Sequence, residues 1–196
     1  MSRPLRTRQR TRVRHEIQSA AWRLFAESGY AAVTTRQIAD AAGVSESTYF
    51  RHVTSKDDLL LYPLEASSAA IVATFRSQPV TVSVQRALAD SIVERTSASS
   101  RVELDLWRTA LASAPDLRDR ITLIRDDDAR ELVQAAAERM GISEPSLEPG
   151  VRVHTVLAAA AYAYRTWFDG DPRELDALIR EAVDLAVTSP PERLTP

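Results

Sequence analysis

Five glycines interrupt 196 residues, and each stands alone. Gly29, Gly43, Gly141, Gly150 and Gly170 fall at the ends of stretches whose apolar residues recur with helical period. A glycine at such a place accepts the left-handed conformation that stops a helix. Pro79, Pro115, Pro145, Pro149 and Pro172 fall between the same stretches. Alternating patterns are scarce, and "VTVSV" (Val80–Val84) is the one short candidate for a strand. The expected fold class is therefore all-α, with about nine helices.

The first helix is expected over Arg10–Ser28, where Ile17, Ala20, Ala21, Leu24 and Phe25 form a single apolar stripe. Thr34 or Thr35 caps a short second helix, Arg36–Ala42. Gly43 makes a tight turn, and a third helix starts near Ser45 or Glu46. Thr54 or Ser55 caps the fourth. Longer helices follow over Lys56–Ser77, Thr81–Ala98, Arg101–Ala114, Asp116–Met140, Glu148–Phe168 and Pro172–Thr188. Pro63 lies about two turns into the fourth helix, where proline removes a backbone bond and bends the chain. The final "TSPPERLTP" reads as a frayed end.

Charge is divided along the chain. Residues 1–56 hold ten Lys and Arg against four Asp and Glu, and the other residues hold fifteen against twenty-three. A basic head on an acidic body points the head towards a polyanion. Cysteine is absent, which excludes disulfides and thiolate metal sites. Asp126, Asp127 and Asp128 are consecutive, so on a helix they diverge and read as a solvated face, not a metal site. No Gly-rich phosphate loop and no G-x-S-x-G elbow occurs, so neither an enzyme nor a cofactor is expected. A membrane span needs about 20 apolar residues. The longest run, "VLAAAAYAY" (Val156–Tyr164), is shorter, so no membrane partner is expected and a cytoplasmic location is.

The stretch "TTRQIADAAG" followed by "VSESTYFRHV" reads as a helix-turn-helix, whose second helix lies in the major groove of DNA. Close approach favours short side chains in its first turn. Ser45, Glu46, Ser47 and Thr48 meet that need, with hydroxyls and N–H groups for phosphates and base edges. Tyr49 is expected in the core. The arginines at 3, 6, 8, 10, 12 and 14 read as a basic N-terminal arm for phosphate or the minor groove.

"TTRQIADAAGVSESTYFRHVTSKDDLL" (Thr34–Leu60), with the preceding "AAWRLFAESGYAAVTTRQIA", closely resembles the DNA-binding region of the tetracycline-repressor (TetR) family. The resemblance covers about the first 60 residues. It implies that Thr35 and Arg36 touch phosphates, that Phe50, Arg51 and His52 lie along the groove wall, and that Lys56 holds a phosphate. Tyrosine is frequent in the family where Phe50 stands, so only apolar contact is open there. It further implies two domains: residues 1–56 as a three-helix DNA-binding domain with the basic arm, and residues 57–196 as a helical ligand-binding and dimerisation domain.

The last two helices carry small alanines and large aromatics, which suit a homodimer interface. Tyr62, Phe75, Trp107, Leu111, Tyr162 and Trp167 are the candidates for an apolar effector cavity. The segment Leu106–Gly141 resembles the C-terminal domain of the mycofactocin-regulator subgroup, which implies an acyl-CoA-like small-molecule effector. Arg101, Arg125 and Arg130 are then candidates for its phosphate or carboxylate. The expected function is a ligand-responsive DNA-binding transcriptional regulator, a repressor that binds a palindromic operator as a dimer and is released by a small molecule. The alternative is a helical ligand-binding protein or enzyme with an incidental helix-turn-helix, distinguished by a catalytic constellation.

Overall fold

The computed structural model describes residues 3–118, 120–143 and 146–188, apart from the side chains of residues 3–8, 65 and 188. Among the described residues it is all-α, with no strand. The order is α1 (Arg3–Ser28), α2 (Thr35–Ala41), α3 (Glu46–His52), α4 (Asp58–Ser77), α5 (Val84–Ser97), α6 (Arg101–Ala112), α7 (Pro115–Arg118), α8 (Asp126–Met140), α9 (Leu147–Phe168) and α10 (Leu175–Thr188).

Three expectations are corrected. The single helix over Asp116–Met140 is two, α7 and α8. Between them Leu123 and Ile124 turn inward and are buried. Arg125 starts α8 from an extended backbone, and three aspartates occupy the first turn, where the helix dipole favours them. Gly150 lies inside the first turn of α9 and stops nothing. The basic segment expected as an arm is the beginning of α1, whose backbone is helical from Arg3. Pro4 suits a first turn, where its missing N–H has no helical partner to lose. The side chains of Arg3, Arg6 and Arg8, and the end from residue 189, lie outside the described residues. The "VTVSV" segment leads through a turn into α5, with Ser83 as its cap.

The chain divides into two compact units, residues 1–63 with 100–121, and residues 64–99 with 122–196. In the first, α1 packs on α2, α3 and α6. Its core includes Ile17, Phe25, Ile38, Tyr49, Leu60 and Leu111, each almost fully buried. Pro63 sits within α4 without ending it. Lacking an N–H, it cannot bond the Leu59 carbonyl one turn back. Side chains of α1 replace that bond: Trp22 Nε1 donates to Leu59 O at 2.8 Å and Gln18 Nε2 at 3.2 Å. From α6, Trp107 Nε1 donates to the next carbonyl, Leu60 O, at 2.9 Å. The Trp22 and Trp107 rings lie 6.3 Å apart. A buried carbonyl left unpaired costs about 1–3 kcal/mol, so the three donors make an interior proline tolerable.

In the second unit α9 packs on α5, α8 and α10 around Leu88, Ile92, Leu132, Val156, Ala160 and Ile179. Arg139, in the last turn of α8, donates to Phe75 O and Gln78 O at 3.2 and 2.9 Å, closing the C-terminal end of α4. Asp128 is buried, which corrects its reading as a solvated group. Its carboxylate accepts from Ser68 Oγ and from Arg125 Nε, the latter at 2.8 Å. The Arg125 guanidinium, then the Ser68 hydroxyl, hold its pKa below the usual carboxylate range. Ser68 Oγ in turn accepts the Arg125 backbone N–H at 3.0 Å, which satisfies an orphan donor at the start of α8.

By length and composition α4 could cross a membrane. Its apolar side chains Leu59, Leu60, Leu64, Ile71, Val72 and Phe75 are instead buried within the protein, as expected of a core helix.

Candidate nucleic-acid interface

Local chemistry builds the helix-turn-helix. Thr34 caps α2, and its side chain accepts from the Gln37 N–H while Gln37 Oε1 accepts from the Thr34 N–H at 2.8 Å. This reciprocal pair satisfies two orphan donors of a seven-residue helix. Gly43 turns the chain at φ +67°, in the left-handed region. Ser45 caps α3: its Oγ accepts from Thr48 N at 3.2 Å and donates to Thr48 Oγ1 at 3.0 Å. Ile38, Ala39 and Tyr49 face inward and are buried. Burial pushes the Tyr49 phenol up to about 12, so it is neutral at any physiological pH.

The outward face then follows. Arg36, Ser45, Glu46, Ser47, Phe50 and Arg51 are exposed, and Thr35 and Thr48 are half-buried. Phe50 is 60% exposed, its ring 5.2 Å from Tyr49 in an edge contact. The exposed ring is available for apolar contact, the one kind open to phenylalanine.

Two expected contact residues are placed elsewhere. Lys56 was expected to hold a phosphate. Its ammonium instead donates to Tyr30 O at 2.7 Å and Val33 O at 3.0 Å, and lies 4.1 Å from the Tyr30 ring centre. It ties the segment between α1 and α2 to the start of α4. The adjoining Asp57 accepts from the Tyr30 hydroxyl and from Arg120 Nη1, the latter at 2.7 Å. The Tyr30 hydrogen bond, with help from Arg120, keeps Asp57 ionised below the ordinary carboxylate pKa. Replacing Lys56 with methionine is expected to lower stability by about 1–2 kcal/mol, because two carbonyls lose a charged donor. Urea unfolding checks this; an unchanged midpoint would remove the structural role.

His52 was expected along the groove wall. It is only 9% exposed, and its Nδ1 is buried without a hydrogen-bond partner. Arg14 of α1 donates from Nη1 to the His52 carbonyl and lies 3.5 Å over the Tyr62 ring. Burial, followed by Arg51, Arg10 and Arg14, depresses the imidazole pKa below its ordinary value.

The six candidates for an effector cavity divide between the units. Tyr62, Trp107 and Leu111 belong to the first, and Phe75, Tyr162 and Trp167 to the second. Phe75, Trp107, Leu111 and Trp167 are buried, with the Trp167 ring 5.2 Å from Phe168 and tilted 54° to it. Tyr162 is 64% exposed and lines a groove between α9 and α10. Tyr162 and Trp167 are five residues apart, about 140° around a helix, so they do not face one space. Arg101, Arg125 and Arg130 pair with Asp105, Asp128 and Asp127 of their own helices.

Comparison with known proteins agrees with this geometry. Residues 17–62 match the family described as bacterial regulatory proteins, tetR family, and residues 78–190 match the MftR C-terminal domain. The chain is 37% identical over 75 residues to the HTH-type transcriptional regulator TcmR of Streptomyces glaucescens, covering 38% of this chain and 33% of that protein. It is 34% identical over 94 residues to the HTH-type transcriptional repressor AcnR of Corynebacterium glutamicum, covering 48% and 50%. The matches thus span a third to a half of these curated relatives. The fold is shared with Thermus thermophilus FadR, a TetR-family repressor solved in complex with lauroyl-CoA, at a TM-score of 0.50 and 19% identity, covering 93% of this chain and 98% of that one. The capped pair of short helices, the family match that contains it and the longer match that follows it make this chain a member of the TetR family with an MftR-type C-terminal domain.

Proposed function

We propose that the chain is a ligand-responsive DNA-binding transcriptional regulator, a repressor that acts in the cytoplasm on a palindromic operator. The observation that carries this reading is the exposed face of the helix-turn-helix. Arg36, Glu46, Ser47, Phe50 and Arg51 stand outward there. Buried Ile38, Ala39 and Tyr49 hold that face from behind. In this reading residues 1–56 read DNA, and residues 57–196 bind effector and dimerise, except that residues 57–63 and 100–121 belong to the compact unit of the helix-turn-helix and complete its packing. Arg36 and Arg51 bond phosphates, Glu46 accepts from a cytosine amine, and Phe50 covers a thymine methyl or a sugar.

The dimer forms through α9 and α10. A groove of about 580 Å³ runs between their outer faces, lined by Ala158, Ala159, Tyr162, Ala182 and Leu185. The small residues allow close helix approach, and Tyr162 and Leu185 supply anchors. Leu147 and Val151 continue the exposed apolar stripe along α9. The effector is apolar or acyl-CoA-like. The MftR-type domain and the fold shared with an acyl-CoA-bound repressor support that class.

Selection of bound duplexes from a random pool tests the reading. A two-fold-symmetric site is expected, and only unspecific, salt-sensitive binding would overturn it. On the selected site, Arg36→Ala is expected to weaken binding and to lower the slope of log K against log salt by about one per protomer. An unchanged slope would take Arg36 off the phosphate backbone.

A further inference from the structure

The turn between α1 and α2 is held from outside itself. Gly29 closes α1 through its N–H on Phe25 O at 3.0 Å. Beyond it, side chains from two later stretches of the same compact unit satisfy the backbone. The Tyr30 N–H donates to Ser113 Oγ, at the C-cap of α6, at 3.0 Å. The Tyr30 and Val33 carbonyls both accept from Lys56 Nζ. The Tyr30 hydroxyl donates to Asp57, which Arg120 also holds. The Tyr30 ring lies against the Lys56 ammonium and 5.1 Å from Phe25 in an edge contact. Val33 is buried, and the next residue, Thr34, is the cap of α2.

Surface turns are ordinarily among the more mobile parts of a fold. Here the N–H, the carbonyl, the hydroxyl and the ring of one tyrosine are each engaged, and the fixed backbone runs through Val33 into the first turn of α2. That helix has seven residues and is too short to hold its place by its own cooperativity. Arg36 is its second residue. Lys56 is the chain's single lysine, every other Lys or Arg position being arginine. A compact ammonium with rotatable donors suits two converging carbonyls and a ring face, which the planar guanidinium fork does not reproduce.

We infer that Tyr30 and Lys56 are positioning residues for DNA recognition. Their clamp sets where the first turn of α2 stands and so delivers Arg36 to its phosphate, while Lys56 itself stays on the two carbonyls in the complex. The inference rests on the reading that Arg36 bonds the DNA backbone. It goes further by placing control of that contact on residues that touch no DNA, and by tying it through Ser113 to the end of α6.

The test is a double-mutant cycle with the full-length chain on its selected duplex, at a temperature where circular dichroism shows each variant folded. Tyr30→Phe removes one hydroxyl and no charge. It is expected to weaken operator binding about threefold or more, and to lower the salt slope although no cation is gone, because Arg36 has lost its place. In that background Arg36→Ala should cost at least about threefold less than in the unaltered chain, a coupling within the span found for residues of one network. Lys56→Met should show the same coupling, whereas loss of an independent phosphate contact would add in full to the loss of Arg36. Ser113→Ala, also without change of charge, reads the coupling if either of the others folds poorly. Costs that simply add in the folded variants overturn the inference. A clamp that only stabilises the fold lowers the urea midpoint and leaves the share of binding carried by Arg36 intact. Failure of the underlying reading looks different: Arg36→Ala alone then leaves operator affinity and salt slope unchanged, and the clamp has no contact to deliver.

Discussion

Tyr162→Glu combined with Leu185→Glu is expected to leave the chain monomeric and to weaken operator binding about a hundredfold or more. The groove between α9 and α10 is lined by small alanines with these two large side chains at its exposed rim. Leu185 is 60% exposed, and Tyr162 slightly more. Both positions are on the surface of the isolated chain, so acidic replacements do not unfold it. A two-fold interface brings the four introduced glutamates of the two protomers into one desolvated contact, where like charges cost several kcal/mol. A stable dimer needs about 1,200–2,000 Å² of buried surface, and in the proposed dimer the exposed stripe through Val151 and Leu147 extends the contact. Loss of the dimer removes the second head's contribution, which raises avidity by about 10²–10⁴ where geometry permits both to bind. Sedimentation equilibrium and operator titration read the two effects together. A double variant that stays dimeric would move the interface elsewhere. A monomer with undiminished operator affinity would sink the two-headed reading of the site.

The second large effect concerns α4. Gln18→Met with Trp22→Phe keeps most of the apolar bulk but removes both donors to Leu59 O. Pro63 offers no N–H in their place. The pair is expected to lower stability by about 2–3 kcal/mol, the cost of a buried carbonyl without a partner together with some lost packing. Pro63→Ala in that background restores the helical N–H one turn on. It should recover at least about 1 kcal/mol, and much less in the unaltered chain, where Leu59 O already has its bonds. That difference is a coupling energy, read from a double-mutant cycle by urea unfolding. Equal effects of Pro63→Ala in both backgrounds would show that the proline and the α1 donors act independently.

What could be read in advance was what short stretches of chain determine by themselves. Thr34 before α2, Ser45 before α3 and Gly43 between them act within four residues, so the helix-turn-helix was legible. So was the burial of Tyr49, which follows from the apolar face of the same short helix. Lys56, His52 and Trp22 were not. Each takes its role from residues 23 to 38 positions away, such as Val33, Tyr30, Arg14 and Leu59. A lysine beside a DNA-reading helix looks the same in sequence whether it bonds a phosphate or two carbonyls of its own chain. The break between α7 and α8 was hidden for a related reason. Leu123 and Ile124 continue an apolar rhythm, and no local residue announces that the chain is extended at Arg125 before α8 begins. Asp128 reads as one of three surface acids until Ser68, sixty positions earlier, closes on it.

The first compact unit is not one continuous piece of chain. Residues 100–121 return to it after 36 intervening residues have gone to the other unit. They bring Trp107 to Leu60 O, Ser113 Oγ to the Tyr30 N–H and Arg120 to Asp57. The unit that carries the helix-turn-helix is therefore not a cassette that can be cut out after α4. A fragment ending at Pro63 would carry every residue of the reading face, yet expose α1 where α6 packs and leave those three anchors empty. Chimaeras that exchange heads between regulators of this shape need α6 and α7 to travel with the first three helices. In folding, too, the head cannot be complete until more than half the chain has left the ribosome.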